Sequence, residues 1–259
     1  MATESIGIRP RPIWVRGRAY IDDSEIVLDA RKAQPYDFLE PEHYKTLLPD
    51  LAALHDFKLQ NPVAFAKDHG LLWHGPNDLA NGSCRESLHK WLRIGEYLTM
   101  TIDLYMALLE GLDENTAKPV RDLLWANRDA GMFIGKIPDG KDECLEYASI
   151  QLAELITRGL AGSQQTVVAA CSVVRDGKKE GDAGDFRYGL ETPNLVATAY
   201  KHLASLIVNR VECRECKGCG RWFVPDHGSQ IHHTKDCGRN KRRRDFYWNA
   251  KRRGIPDTI

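Results

Sequence analysis

The chain alternates between segments with helical and with strand-like hydrophobic spacing, and the helical segments predominate. Residues 13–38 alternate apolar and polar positions around the polar stretch DDSE, which predicts a short β-hairpin. Residues 165–190 return to strand spacing with many β-branched side chains and predict a second hairpin. The pattern therefore predicts a mainly α fold with two short β-hairpins.

Five segments are predicted to be helical, either because apolar residues recur at steps of three and four or because helix start and stop signals flank them. They run from Pro62 to Gly70, from Ser83 to Gly111, from about Pro119, over 141–160, and from Pro193 to about 209. Asn61 is the expected cap of the first helix, and Ser83 and Glu86 have the spacing of a capping box at the start of the second. Thr192 is the expected cap of the fifth, which leads directly into a group of cysteines.

Charge divides the 259 residues into two parts, although the formal net charge is zero. Residues 210–259 carry 13 Lys and Arg against 6 Asp and Glu, a formal +7, which leaves −7 on residues 1–209. We therefore predict a helical domain over 1–209 and a separate basic module over 210–259. A basic terminus of this kind indicates a contact with nucleic acid or another polyanion.

The sequence also indicates the cellular compartment of the protein. It has no run of eighteen apolar residues and no apolar secretion signal near its start, so we expect a cytoplasmic protein without a membrane partner. Seven cysteines in such a compartment argue against a disulfide framework. Four of the seven fall within the last fifty residues, and this clustering indicates a metal site.

The metal site that we predict has the pattern C-x2-C-x13-H-x3-C. Cys216 and Cys219 form a two-residue knuckle, and His233 and Cys237 stand four apart, which places them on one face of a starting helix. Three thiolates and one imidazole are the ligand set of a structural zinc ion. The expected order of knuckle, short strand with Trp222, and helix is that of a treble-clef-like zinc finger.

Two alternatives to this ligand set remain at the level of sequence. Cys213 precedes Cys216 by three residues, so that Cys213 and Cys216 could form the knuckle and leave Cys219 free. His232 is adjacent to His233 and could replace it if the helix started one residue differently.

The residues after Cys237 form a strongly basic segment. Eight Arg and Lys lie between 239 and 253, with a single acid. If the segment is helical, several of them share one side, and such clusters bind the phosphates of nucleic acids. The predicted phosphate contacts are Arg239, Lys241, Arg242, Arg243 and Arg244.

From Cys216 to about Arg244 the chain resembles the CGNR-type zinc fingers, which often follow an ABATE-like helical domain in bacterial proteins regarded as stress-induced transcription regulators. This chain has His233 where the family usually has cysteine, and it reads Cys237, Gly238, Arg239, Asn240, with the last two residues of the family tetrad exchanged. Histidine preserves zinc binding. The resemblance implies a DNA-binding regulator.

We find no P-loop, no Rossmann fingerprint and no G-x-S-x-G motif, and we expect no enzyme. The favoured function is a zinc-dependent regulator that binds double-stranded DNA, with a homodimer doubling its contacts and the helical domain able to hold a small-molecule effector. The alternative is a protein-interaction module in which zinc is purely structural and the basic helix docks on an acidic partner.

Overall fold

The computed structural model describes residues 13–29, 34–37, 41–56, 60–74, 84–128, 133, 135–161, 166–170, 187–191 and 194–252. Within them, the helices are α1 Pro41–Ala52, α2 Pro62–His69, α3 Leu88–Asp113, α4 Lys118–Ala126, α5 Lys141–Ala161, α6 Leu195–Val208 and α7 Lys235–Arg252. The strands are β1 Ile13–Arg16, β2 Ala19–Asp22, β3 Glu25–Leu28, β4 Gln34–Asp37, β5 Cys84–Ser87, β6 Thr166–Ala170, β7 Arg187–Glu191, β8 Arg214–Glu215 and β9 Trp222–Phe223. The fold is mainly helical with small antiparallel sheets.

Both predicted hairpins correspond to antiparallel pairs. β2 and β3 pair across a turn in which Asp23 and Ser24 have positive φ angles of 45° and 67°. β1 pairs with β4, a contact that the hairpin prediction did not include. β6 pairs with β7 in antiparallel register, while the segment that joins them lies outside the described residues.

The predicted capping box is wrong. Cys84 to Ser87 form strand β5 and pair with β3, so α3 starts at Leu88. Glu86 is buried instead of exposed at a helix start, and its carboxylate accepts hydrogen bonds from the backbone of Leu72 at 2.8 Å and from the indole of Trp91 at 2.7 Å. A buried carboxylate must be fully hydrogen-bonded. The bond to Leu72 meets part of this requirement and holds the segment after α2 in place. The predicted cap Ser83 itself lies outside the described residues.

Two other predicted helix starts can be compared with the observed ones. Asn61 caps α2 as expected, its Oδ1 accepting from the backbone nitrogen of Val63 at 2.8 Å. α6 starts two residues later than predicted, because Asn194 is its cap and accepts from the backbone nitrogen of Ala197 at 2.8 Å. The predicted cap Thr192 lies outside the described residues.

α3 is the central helix of the core and packs against α1, α4, α5 and α6. Its buried face carries Trp91, Leu98, Ile102, Leu104, Tyr105 and Leu108. Gly95 allows a close approach at this face, since a Cβ there would lie 2.5 Å from the backbone nitrogen of His55. Among the helices described, none combines the length and the apolar character that crossing a membrane requires.

A tight turn joins α6 to the cysteine-rich segment. Arg210 has a positive φ of 50°, its nitrogen donates to the Ile207 carbonyl at 3.1 Å, and the Val211 nitrogen donates to the Leu206 carbonyl at 2.9 Å. This is the hydrogen-bond pattern of a Schellman motif, with arginine where glycine is usual. The hydroxyl of Tyr105 also donates to the Val211 carbonyl at 2.9 Å, so the connection is held against α3.

Candidate metal centre and basic helix

The knuckle is formed by the turn between β8 and β9, which pair antiparallel. The nitrogen of Cys216 donates to the Arg221 carbonyl at 2.8 Å, and the nitrogens of Cys219 and Gly220 both donate to the Cys216 carbonyl, at 3.2 and 2.8 Å. Gly220 has a φ of 80°, a conformation that favours glycine. The turn therefore presents the sulfurs of Cys216 and Cys219 on the same side.

The second ligand pair flanks the start of α7. His233 lies two residues before the helix and Cys237 in its first turn, so only the cysteine is helical, whereas the sequence predicted both on the first turn. Thr234 caps the helix, its hydroxyl accepting from the Cys237 nitrogen at 3.1 Å. The nitrogen of Lys217 donates to the Ile231 carbonyl at 3.0 Å and draws the preceding loop onto the knuckle.

The four predicted ligands converge. One donor atom each from Cys216, Cys219, His233 and Cys237 lies within 4.8 Å of all the others. The Cys216 and Cys237 sulfurs are 3.5 Å apart, as are the Cys219 sulfur and the His233 Nδ1. In a tetrahedral zinc site with metal–ligand bonds of about 2.0–2.3 Å, two ligand atoms lie about 3.3–3.8 Å apart. These residues are therefore positioned to hold a metal ion, and their donor set is consistent with zinc.

The ionisation of the sulfurs also fits a bound cation. Burial opposes the ionisation of Cys216, but hydrogen bonds from the imidazoles of His233 and His232 lower its pKa to about 5. Burial, together with the neighbouring sulfurs of Cys216 and Cys219, raises the pKa of Cys237 to about 12. Crowded sulfurs cannot all ionise without a compensating charge, and a divalent cation supplies it.

The structure separates both alternative ligands from this cluster. Cys213 packs into the hydrophobic core of the helical region, and its backbone nitrogen faces the Met106 sulfur at 3.3 Å. His232 lies just outside the four ligands, with its Nδ1 3.8 Å from the Cys216 sulfur. Among the described residues, the group able to hold a metal contains Cys219 and His233 and neither of these two.

Two glycines make room for the ring of His232. A Cβ on Gly238 would lie 2.8 Å from the His232 Cδ2, and a Cβ on Gly218 would lie 3.3 Å from its Nδ1 and 2.7 Å from the Cys237 sulfur. The glycine in the middle of the knuckle is therefore required by the close approach of a metal ligand.

Gly218→Ala is expected to weaken metal binding about tenfold or more, because the added methyl group would displace the Cys237 sulfur, and a strained contact of this kind costs about 1–3 kcal/mol. Metal affinity measured by competition with a chromogenic chelator checks this. Gly228→Ala is the matched control, since no atom of the residues that the structure describes lies within 4 Å of a Cβ there. Equal affinities for the two variants would contradict the packing of the knuckle against Cys237.

Arg221 attaches the knuckle to the helical region. Its guanidinium donates to Asp50 of α1 at 3.1 Å and to Gln60 at 2.9 Å. Asp50 in turn lies 3.0 Å from the Nε2 of His69, which is buried at the end of α2. No local pattern predicts this contact, because Arg221 and Asp50 are 171 positions apart in the chain.

Trp222 forms the second attachment. The short strand that the sequence predicted is present, and on it Trp222 packs against the helical core, where its side chain hydrogen-bonds to Asp103 of α3. Burial raises the pKa of Asp103 to about 6; the nearby charge of Glu215 acts in the same direction, and Trp222 opposes it.

Asp103→Asn is expected to stabilise the protein by about 1–2 kcal/mol above pH 7, a value that allows for the partial exposure of the carboxyl. A carboxyl whose pKa rises on folding from 3.8 to about 6 contributes most stability below pH 4, and this contribution is lost as the pH rises to 6. Asparagine does not ionise, so the variant loses no stability in this way as the pH rises, and its side-chain oxygen still accepts a hydrogen bond from Trp222. Urea unfolding at pH 4 and 7.5 checks this, and an equal effect at both values would contradict it.

The five basic residues predicted to contact phosphate lie on different sides of α7. Arg239, Arg242 and Arg243 are exposed on the outward side, where Arg239 lies 3.4 Å from Asp236. Lys241 pairs with Asp245 at 3.2 Å. Arg244 faces the metal centre, where its guanidinium donates to the Gly218 carbonyl at 2.7 Å. Arg239, Arg242 and Arg243 are therefore available to an external ligand, while Arg244 stabilises the knuckle.

A groove of about 760 Å³ runs beside the outward side of α7. The loop 226–234 forms one wall, with His227 and His232, and the helix forms the other, with Lys235, Arg239 and Arg242. Basic side chains at positions i, i+4 and i+7 share one face of a helix. The groove is therefore predominantly cationic.

A smaller cavity of about 400 Å³ lies where α1, α6 and the metal centre meet. Its lining includes Thr46 and Asp50 from α1, His202 from α6, and Arg221 and His233 from the cysteine-rich segment. A small molecule bound there would contact the helical region and a metal ligand simultaneously.

Comparison of the chain with protein-family models, with curated proteins and with solved structures finds no match.

Proposed function

We propose that this protein is a zinc-dependent nucleic-acid-binding protein in which a Cys3His zinc centre holds a basic helix against a helical domain. The convergence of Cys216, Cys219, His233 and Cys237 at the base of α7 is the observation that carries the proposal. The basic helix starts at the metal centre, so that metal binding orders the arginines that follow.

The zinc would be structural. Four protein ligands close a tetrahedral site and leave no position for a substrate, whereas a catalytic zinc keeps one position open. When bound, zinc offsets the charge of the thiolates and crosslinks the knuckle to α7. A knuckle, a short β-hairpin and a helix that carries the last ligand are the parts of a treble-clef-like finger, which we propose as the architecture of residues 210–259 beside a helical domain over 1–209.

Nucleic acid is the ligand that the outward side of α7 fits best. Arg239, Arg242 and Arg243 project from one side of a helix whose orientation is held at the knuckle, and arginine binds phosphate oxygens in a bidentate manner. The resemblance of residues 216–244 to CGNR-type zinc fingers supports duplex DNA and transcription control in the cytoplasm as the specific form of this function. Lys241 and Arg244 then act mainly by stabilising the helix and the knuckle.

The binding of zinc-loaded protein to random duplex DNA, single-stranded DNA and RNA at several salt concentrations tests the proposal. Three phosphate contacts predict a slope of about −3 in a plot of log affinity against log salt. Salt-sensitive binding to duplex DNA is the expected result. The absence of binding to all three at low salt, with zinc content intact, would overturn the proposal and favour a protein-interaction module.

A further inference from the structure

A cleft of about 1040 Å³ separates α3 and α4 from the first strand and turn of the cysteine-rich segment. Its floor is apolar and includes Met106, Leu109, Leu123 and Trp222. Two large apolar side chains at its edge, Leu112 and Ile231, are 56% and 46% exposed. The volume corresponds to about two turns of an α-helix about 10 Å across.

The rim of this cleft is strongly acidic. Among the described residues that line it, seven are acidic and three are basic. Glu110, Asp113, Glu114 and Glu215 are exposed and form no ion pair with any side chain that the structure describes. One of the three basic residues, Arg214, is already paired with Glu212 at 2.8 Å. Arg210 and Lys217 also line the cleft, and Asp122 is paired with Lys118 at 2.6 Å, so the cleft presents a net negative charge.

The end of α3 adds to this charge. Glu110 and Asp113 lie in its last turn and Glu114 is its C-cap, while no basic residue occupies the last turn. The C-terminus of a helix carries a partial negative charge of its own, and acidic side chains there are destabilising. A cationic occupant of the cleft would offset both contributions, so the arrangement favours a basic partner.

We propose that this cleft binds helix α7 of a second copy of the chain, so that two copies form a two-fold symmetric dimer. Arg242 and Arg243 are exposed on α7 and form no ion pair with the side chains described, so their charge complements that of the cleft. Ile231 lines both the acidic cleft and the groove beside α7, so the two surfaces adjoin. In a two-fold symmetric dimer the same surface of each copy meets the other, so the acidic cleft of one copy can face the basic helix of its partner at both halves of the interface.

The dimer would engage the same arginines that the proposed function assigns to phosphate. Dimerisation and nucleic-acid binding would then compete for α7, a consequence that rests on the proposed function. The dimer itself does not rest on the proposed function, because it is tested without nucleic acid.

Sedimentation equilibrium of zinc-loaded protein tests the dimer. We expect a dimer at about 0.1 M salt and dissociation at about 1 M, where the screening length falls from about 10 to about 3 Å. Two charge-reversed variants, Glu110→Lys with Asp113→Lys in the cleft and Arg242→Glu with Arg243→Glu on the helix, should each raise the dimer dissociation constant at least about 100-fold.

Mixing the two variants gives the decisive result, because each cleft of a heterodimer then faces a helix of opposite charge. An equimolar mixture should restore the dimer. The control Asp68→Lys with Glu146→Lys changes the net charge equally on exposed positions outside the cleft and should leave the dimer intact. A monomeric wild type at 0.1 M salt, a cleft variant that remains dimeric, or a mixture that remains monomeric would each overturn the proposal.

The cleft variant also separates this inference from the proposed function. It leaves every basic residue of α7 unchanged, so it should bind nucleic acid at least as well as the wild type. If no form of the protein binds nucleic acid, the proposed function fails. The masses measured by sedimentation still show whether the protein forms the dimer.

Discussion

Cys219→Ser will lower the zinc affinity by about 100- to 1000-fold, whereas Cys213→Ser will leave it unchanged. The binding free energy of a structural zinc ion is about 10–16 kcal/mol and is shared among four ligands, so the loss of one costs about 3–4 kcal/mol. Cys219 provides one of four converging donor atoms, and Cys213 packs in the core instead. Competition with a chelator, with zinc content measured by mass spectrometry, checks both variants.

The comparison controls for the chemistry of the substitution, because both variants exchange a thiol for a hydroxyl. Burial raises the pKa of Cys213 to about 11, so this thiol is protonated at neutral pH. Loss of zinc from the Cys213 variant alone would show that the ligand set is wrong. His233→Ala should behave like the Cys219 variant, and His232→Ala should have a smaller effect, since His232 contacts a ligand without being one of the four.

Arg242→Glu combined with Arg243→Glu will reduce nucleic-acid affinity about 30- to 100-fold at about 0.1 M salt and lower the salt slope by about two. Both side chains are exposed on the outward side of α7, so the change should not disturb the metal centre. Fluorescence anisotropy with labelled duplex DNA at several salt concentrations measures the effect. Zinc content should equal that of the wild type.

The matched control is Lys67→Glu combined with Lys90→Glu, on α2 and α3. These exposed positions lie outside the cysteine-rich segment and change the net charge by the same amount. Equal losses of affinity in the two variants would indicate a nonspecific effect of net charge. A loss confined to the arginine variant would support a phosphate contact at α7.

Arg244→Ala should disturb the knuckle, whereas the change of Arg242 and Arg243 should affect nucleic-acid binding and leave the metal centre intact. The guanidinium of Arg244 donates to the Gly218 carbonyl, so its loss removes a hydrogen bond to the knuckle. The sequence places Arg242, Arg243 and Arg244 in one uninterrupted basic run, and their different roles follow from the angular positions that a helix assigns to them.

Some elements were predictable because their signals are local. The spacing of Cys216 and Cys219 and the cap Asn61 of α2 depend on residues within one or two turns of each other. Thr234 could also have been identified, since a threonine three residues before Cys237 has the spacing of a helix cap. Glu86 was misassigned because a capping pattern and a buried strand position look alike until the partner strand is known.

The sequence by itself determined the mainly helical class, two of the antiparallel strand pairs, the division of charge and, with Cys213 and His232 as alternatives, the four candidate metal ligands. All of these follow from short-range spacing and composition. The tertiary structure alone decided that Cys213 belongs to the core and that Arg221 binds Asp50. It also brought the acids of α3 to a cleft beside the cysteine-rich segment. Contacts between residues more than a hundred positions apart depend on how the helices pack, and no local pattern encodes that packing.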